Sequence, residues 1–240
     1  MRATTFEFRN RFWIIGAIIW FGFSLYVVDH VNTAAALATW LAAHTGFSDN
    51  SLVRLLFGAG ALVTVVAALL RTWACSFLHT QVVHDSALHS ENLVADGPYR
   101  YVRNPLYLGT VLLTLGMGLM ASRIGYAVIV FGVLLFNVRL IAREQAELIK
   151  SQGASYVKYL DAVPCLIPSL FPRLLAGQRH SQWKQALLGE GFFWGFSLAT
   201  VVFAISLKLL YFWIALAASF GLYFVVLAKL KRRCLPETGQ

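Results

Sequence analysis

Five apolar runs constrain this chain more than anything else in it: residues 12–28, 52–70, 124–141, 192–207 and 211–228. Each is close to the 17–25 residues that a helix needs to cross roughly 30 Å of hydrocarbon. A sixth run, 106–121, is shorter, and 33–43 is too short to cross and reads as interfacial or re-entrant. With 58% hydrophobic and only 13% charged residues, 240 residues folded in water would leave far more apolar surface than a core can hide. The expectation is an all-α, polytopic integral membrane protein with about six transmembrane helices and the lipid bilayer as its solvent.

Charge placement sets the orientation. With six alternating spans, of the 20 Lys and Arg only Arg54, Arg123 and Lys208 fall on one side. The excess on the other side marks it as cytoplasmic. Both termini and both long polar segments then face the cytoplasm, and the net charge of +9 is directed at an anionic leaflet rather than at nucleic acid. Cys75, Cys165 and Cys234 share that reducing side, so no disulfide framework is implied. An Arg-rich start before an apolar run could also be a signal peptide cleaved near Ala34–Ala36. A run long enough to cross, followed by further spans, favours a retained helix.

By polarity the chain divides into N-terminal transmembrane helices (1–72), a middle region (73–189) and a C-terminal transmembrane hairpin with a basic tail (190–240). Within the middle region, 106–141 reads as a tight helical hairpin turning at Ala121-Ser122-Arg123, whose second helix continues past the membrane to Ser151. Pro164, Pro168 and Pro172 then break regular helix. The hairpin brings Asn104, before its first helix, beside Arg139–Glu147, at the end of its second.

In RNPLY, Asn104 reads as an N-cap and Pro105 as the first helical residue, since proline has no amide to leave unpaired. Such a helix start favours an anion, and Arg100 and Arg103 add charge beside it. Glu144 lies opposite, and an acid facing a helix N-terminus suits a zwitterion. The plain alternative is a capped helix with interfacial arginines and tyrosines, and a solvated Glu144–Glu147–Lys150 face. His79, His84 and His89, spaced by five, do not share a helical face, so no metal is expected. The glycine pairs Gly58/Gly60 and Gly116/Gly118 lie inside apolar helices and read as close packing, not phosphate binding.

ENLVADGPYRYVRNPLYLG (91–109), then EQAEL (144–148), then GASYVKYLDAVPCLIP (153–168) resembles the isoprenylcysteine carboxyl methyltransferase and phospholipid methyltransferase superfamily, over residues 84 to 168. The resemblance implies an integral membrane enzyme with a cytoplasmic catalytic cap, formed by the middle region, that uses S-adenosyl-L-methionine. By matching positions it implies cofactor contacts from His84, Glu91, Asn92, Leu93, Val94, Tyr99, Asn104, Pro105, Leu106, Tyr107 and Glu144. Three positions depart from the pattern. Asn104 stands where the carboxyl methyltransferases have His, Gln145 replaces a second Glu, and Leu140 stands where a substrate arginine is usual, with Arg139 and Arg143 nearby.

The reading is therefore a membrane methyltransferase acting on a lipid-like or isoprenylcysteine-like acceptor, by carboxyl O-methylation or phospholipid amine N-methylation. Glu144 and Arg139 are the catalytic candidates, and neither metal nor nucleic acid is a partner. The rivals are a nicotinamide-dependent membrane sterol or lipid reductase and a non-catalytic lipid-binding membrane protein.

Overall fold

The computed structural model describes residues 2–78, 95–177 and 179–234. Among these the regular elements are helices, with one isolated β-bridge between Asn32 and Ser122 and no strand. The helices are α1 (Thr5–Arg9), α2 (Arg11–Ser24), α3 (Thr33–Thr45), α4 (Asp49–Ser76), α5 (Pro105–Gly118), α6 (Arg123–Gln152), α7 (Ala154–Ala162), α8 (Trp183–Gly189), α9 (Gly191–Ser206) and α10 (Leu209–Cys234). A 3₁₀ turn at Leu25–Val27 extends α2, and another at Gly97–Arg100 precedes α5.

By length and composition α4, α6 and α10 (as Leu209–Lys229) can each cross a membrane. The pair α8–α9, bent by 65° at its break, makes a fourth if taken as one span. The other two apolar runs form shorter helices, Arg11–Val27 and Pro105–Gly118. The 33–43 run, too short to cross, is α3.

Without water to expel between helices, membrane helices associate through close packing and buried polar contacts, and small residues mark where backbones approach. The chain follows that rule at α4–α5 and α2–α6. A Cβ on Gly60 would meet the carbonyl oxygen of Gly116 at 2.8 Å, and one on Gly22 would meet that of Gly125 at 2.9 Å. The packing role expected of all four glycines in the two pairs holds for Gly60, Gly116 and Gly118, the last against the ring of Tyr126. Gly58 faces open space.

Polar groups lock the end of the bundle opposite Glu144. Ser122 caps α6 by accepting from Gly125 N, and the turn before it is held by Asn32, whose Nδ2 donates to the carbonyls of Leu119 and Met120 at 3.2 and 3.1 Å. The Asp29 carboxylate accepts from Arg123 Nη2 and Ile124 N, both at 3.0 Å. Those two partners, the arginine first, hold its carboxyl down at about 2.

Candidate functional site at the start of α5

The hairpin α5–α6 brings together the two features that the sequence placed opposite each other. Tyr107, in the first turn of α5, donates its hydroxyl to Glu144 Oε1 at 2.7 Å. A neutral phenol bonded to a carboxylate is among the stronger protein hydrogen bonds. Glu144 lies beyond the apolar run 124–141 on the continuation of α6, so the bond ties the start of one helix to the emerging end of the other.

Asn104 occupies the N-cap position, as expected, but not the capping role. Its side chain makes no cap hydrogen bond and turns away, donating Nδ2 to the carbonyl of Cys165 at 3.0 Å. Pro105 stands at the first helical position. The first turn of α5 is therefore uncapped by a side chain, and amides at a helix start attract an anion.

The chain leading into α5 is held from the far side by the proline-rich segment. Arg103 N donates to Pro164 O at 2.9 Å, Tyr159 hydroxyl to Tyr99 O at 2.8 Å, and Arg100 Nε to Leu174 O at 2.8 Å. Tyr99, Tyr156 and Tyr159 are buried here. Burial pushes the Tyr156 phenol up to about 12 and raises those of Tyr99 and Tyr159 as well, so all three remain proton donors at neutral pH.

Arg71 of α4 completes the framework. Its Nη1 donates to Leu106 O at 2.8 Å and to Thr110 Oγ1 at 3.2 Å. Its other nitrogens grip Glu190, at the α8–α9 break, at 2.6 and 3.0 Å. Cys75 Sγ donates to the same carboxylate at 2.8 Å, and the guanidinium lies 3.8 Å over the ring of Phe193. Gly109 leaves room for Arg71, whose Cδ would stand 2.9 Å from a Cβ there.

Arg139 and Arg143 of α6 face the N-terminal segment. Arg139 Nη2 pairs with Glu7 Oε2 at 2.8 Å, and Arg143 Nη1 donates to Ala3 O at 3.3 Å and Thr5 Oγ1 at 3.2 Å. Phe8 of α1 is buried against Phe136, Leu140 and Tyr107. Arg139 Nε is buried with no hydrogen-bond partner, and so is the Oδ1 of Asn137, whose Nδ2 reaches Tyr107 O at 3.4 Å. Leu140 is fully buried in that same cluster.

The structure thus joins Tyr99, Asn104, Pro105, Leu106, Tyr107 and Glu144 into one neighbourhood, with Arg139 beside it under α1. His84, Glu91, Asn92, Leu93 and Val94 lie outside the described residues, as do His79 and His89. Among the described residues no group of three or more His, Cys, Asp or Glu is placed to hold a metal ion. A groove of about 580 Å³ opens at Ala95, Asp96, Arg173, Leu174, Leu175 and Gly177, none of them on α5 or α6. It borders the chain that enters α5, where Asp96 O accepts from Tyr99 N at 3.2 Å.

Residues 54–153 match the phospholipid methyltransferase family. The superfamily resemblance read from the sequence is thereby shown, over a segment that takes in most of α4, the 3₁₀ turn before α5, and all of α5 and α6. The chain is also similar to the cobalt-zinc-cadmium resistance protein CzcN of Cupriavidus metallidurans, at 24% identity over 156 residues, covering 65% of this chain and 67% of that protein. No solved structure matches it significantly.

Sequence reasoning missed Arg71, Glu190, Glu7 and Tyr159. A signal for Glu190 was present: a lone acid between two glycines, at the mouth of an apolar run, demands a partner. The signal for Glu7 was TTFE at 4–7, a capping-box pattern that the structure realises with Thr4.

Proposed function

We propose that this chain is an integral membrane methyltransferase that transfers a methyl group from S-adenosylmethionine to a lipid-like acceptor. The observation that carries the reading is the 2.7 Å bond between Tyr107 and Glu144 at an uncapped helix start. It sets a carboxylate within one hydrogen bond of a turn whose amides favour an anion. That donor set fits the methionine end of the donor molecule, which carries one carboxylate and one ammonium. The first-turn amides of α5 hold the carboxylate, and Glu144 holds the ammonium or a ribose hydroxyl. Tyr107 orients Glu144, Tyr99 adds a further contact, and the resemblance implies others from His84, Glu91, Asn92, Leu93 and Val94.

When bound, the sulfonium supplies a methyl group already activated for in-line displacement, so alignment does most of the catalytic work. For a carboxylate acceptor the chain need only hold the acceptor still, and Arg139 is the residue proposed to do so. Its free Nε is a spare donor, and an acidic head would compete with Glu7 for the rest of the guanidinium. For an amine acceptor a proton must leave, and Glu144 is the base at hand.

The wider arrangement belongs to the same proposal. Six apolar helices cross or enter the bilayer, residues 73–189 form a cytoplasmic cap with the hairpin, and 190–240 form a C-terminal anchor. The charge split supports that orientation.

The test is to incubate membranes carrying the protein with S-adenosylmethionine labelled in its methyl group and to separate lipid, protein and small-molecule fractions. Label in the lipid fraction or on isoprenylated cysteine, absent with Glu144→Ala, is the expected result. If instead a nicotinamide cofactor, and not S-adenosylmethionine, raises the melting temperature in detergent, the reductase reading replaces this one.

A further inference from the structure

Residues 164–175, PCLIPSLFPRLL, form no helix, because three prolines remove the amides that a regular helix would use. The segment is instead fastened to the chain that enters α5. Arg103 N donates to Pro164 O, Ser169 N to Tyr101 O and Arg173 N to Arg100 O, each at 2.9 Å. Asn104 Nδ2 donates to Cys165 O at 3.0 Å, and Ser169 Oγ to Phe171 O at 2.7 Å.

Leu174 turns back to pack against the cluster of Tyr156, Tyr159 and Val163, but four other large apolar side chains of the segment do not. Ile167, Leu170, Phe171 and Leu175 stand 83%, 92%, 77% and 93% exposed. Single exposed apolar residues need no explanation, but four large ones presented together on a fixed segment mark a surface that something covers.

The place of the segment says what covers it. Tyr101, to which Ser169 is bonded, lies four residues before Pro105, so no more than about 14 Å of chain separates it from the first residue of the apolar helix α5. The segment therefore sits beside the end at which the apolar run of α5 begins. Arg173 lies within the segment, and Arg179, whose Nη1 donates to Phe77 O at 3.3 Å, follows four residues after Leu175. Aliphatic and aromatic side chains with basic neighbours are the composition that settles at the boundary between headgroups and acyl chains of an anionic leaflet.

We infer that residues 167–175 are a membrane-interface anchor, with Ile167, Leu170, Phe171 and Leu175 in the headgroup–acyl boundary and Arg173 and Arg179 at anionic headgroups. The anchor also sets depth. Because Pro164 and Cys165 hold Arg103 and Asn104, immersing the segment fixes how far the start of α5 stands from the lipid. This assignment goes beyond the methyl-transfer reading and stands without it.

The test uses the full chain in nanodiscs of phosphatidylcholine and phosphatidylglycerol. Spin labels are attached at Leu170→Cys and, separately, at Leu175→Cys, and the signal of the labelled parent chain is subtracted. Both positions are almost fully exposed, so the substitutions leave the fold intact. Collision with oxygen, which partitions into lipid, should exceed collision with a water-soluble nickel chelate by about threefold or more at both sites. Replacing phosphatidylglycerol by phosphatidylcholine, or combining the labels with Arg173→Gln and Arg179→Gln, should lower that ratio at least about twofold. A nickel collision rate above that of oxygen would place the segment in water and overturn the anchor. Low collision rates for both reagents would place it in a protein–protein contact, with a second copy or another chain, and would overturn it too. A ratio indifferent to lipid charge and to the arginines would remove the anionic leaflet from the assignment.

Discussion

Replacing Glu190 by Gln tests the joint between the C-terminal helices and the site. The carboxylate is 1% exposed and takes hydrogen bonds from Arg71 at 2.6 and 3.0 Å and from Cys75 at 2.8 Å, while the Arg71 side chain is only 12% exposed. Removing one partner of a buried ion pair costs about 3–5 kcal/mol, because the surviving charge has neither water nor counter-charge. Arg71 would retain Leu106 O, Thr110 Oγ1 and the face of Phe193. The expected loss for Glu190→Gln is therefore at the low end, about 3 kcal/mol. The double variant Arg71→Met/Glu190→Gln removes the stranded charge, so its loss should fall short of the sum of the two single losses by about 1–3 kcal/mol. Reversible unfolding in mixed micelles, followed by circular dichroism, measures all three. A loss under about 1 kcal/mol for Glu190→Gln, or strict additivity in the double variant, would show that the pair is solvated and that the joint is not what it is argued to be.

Arg139→Ala should lower acceptor turnover while leaving affinity for S-adenosylhomocysteine within about threefold, or roughly 0.65 kcal/mol, as read by paired kinetic and calorimetric measurements. A loss of cofactor binding would move Arg139 out of the acceptor role. On the proposed orientation, with the basic residues on the cytoplasmic side, Ser151→Cys and Ser181→Cys should resist an impermeant thiol reagent applied to intact cells and react once the membrane is opened. At the opposite end, Asp29 is held at about 2 against roughly 3.9 for a free side chain, so its contribution to stability is present above about pH 4 and is lost as pH falls toward 2. Melting curves of Asp29→Asn should lack that part of the acid dependence, and identical acid profiles for the two proteins would refute it.

The helices were legible because hydrophobic periodicity and length report on the solvent, and the bilayer is an unforgiving one. The run 124–141 found the centre of α6, and Ser122 and Gly153 bound the helix where cap chemistry says it should start and stop. The neighbourhood of Glu144 was legible for a similar reason, since a short hairpin forces its two open ends together. What escaped was contact between distant parts of the chain. Arg71 reads as one more basic residue at a membrane boundary, and only packing reveals that it reaches Leu106 and Glu190. Asn104 carries a strong cap preference, but its Nδ2 donates to the carbonyl of Cys165, 61 positions on, and its oxygen makes no cap bond. The short run 33–43 gave no hint of its role, which is to clamp the far turn of the hairpin through Asn32 at the head of α3. Glu7 was hidden by scale, because a five-residue helix has no periodicity to read, although its capping box is written in four residues.

The central claim is that the start of α5 and Glu144 together hold S-adenosylmethionine. Titrating S-adenosylhomocysteine into the purified wild-type protein in a calorimeter tests it without requiring knowledge of the acceptor. The account predicts saturable binding, weakened by about 1.5–3 kcal/mol in Glu144→Ala, the range for a hydrogen bond to a charged group. No binding to the wild type, or binding unchanged by loss of the carboxylate, would contradict it.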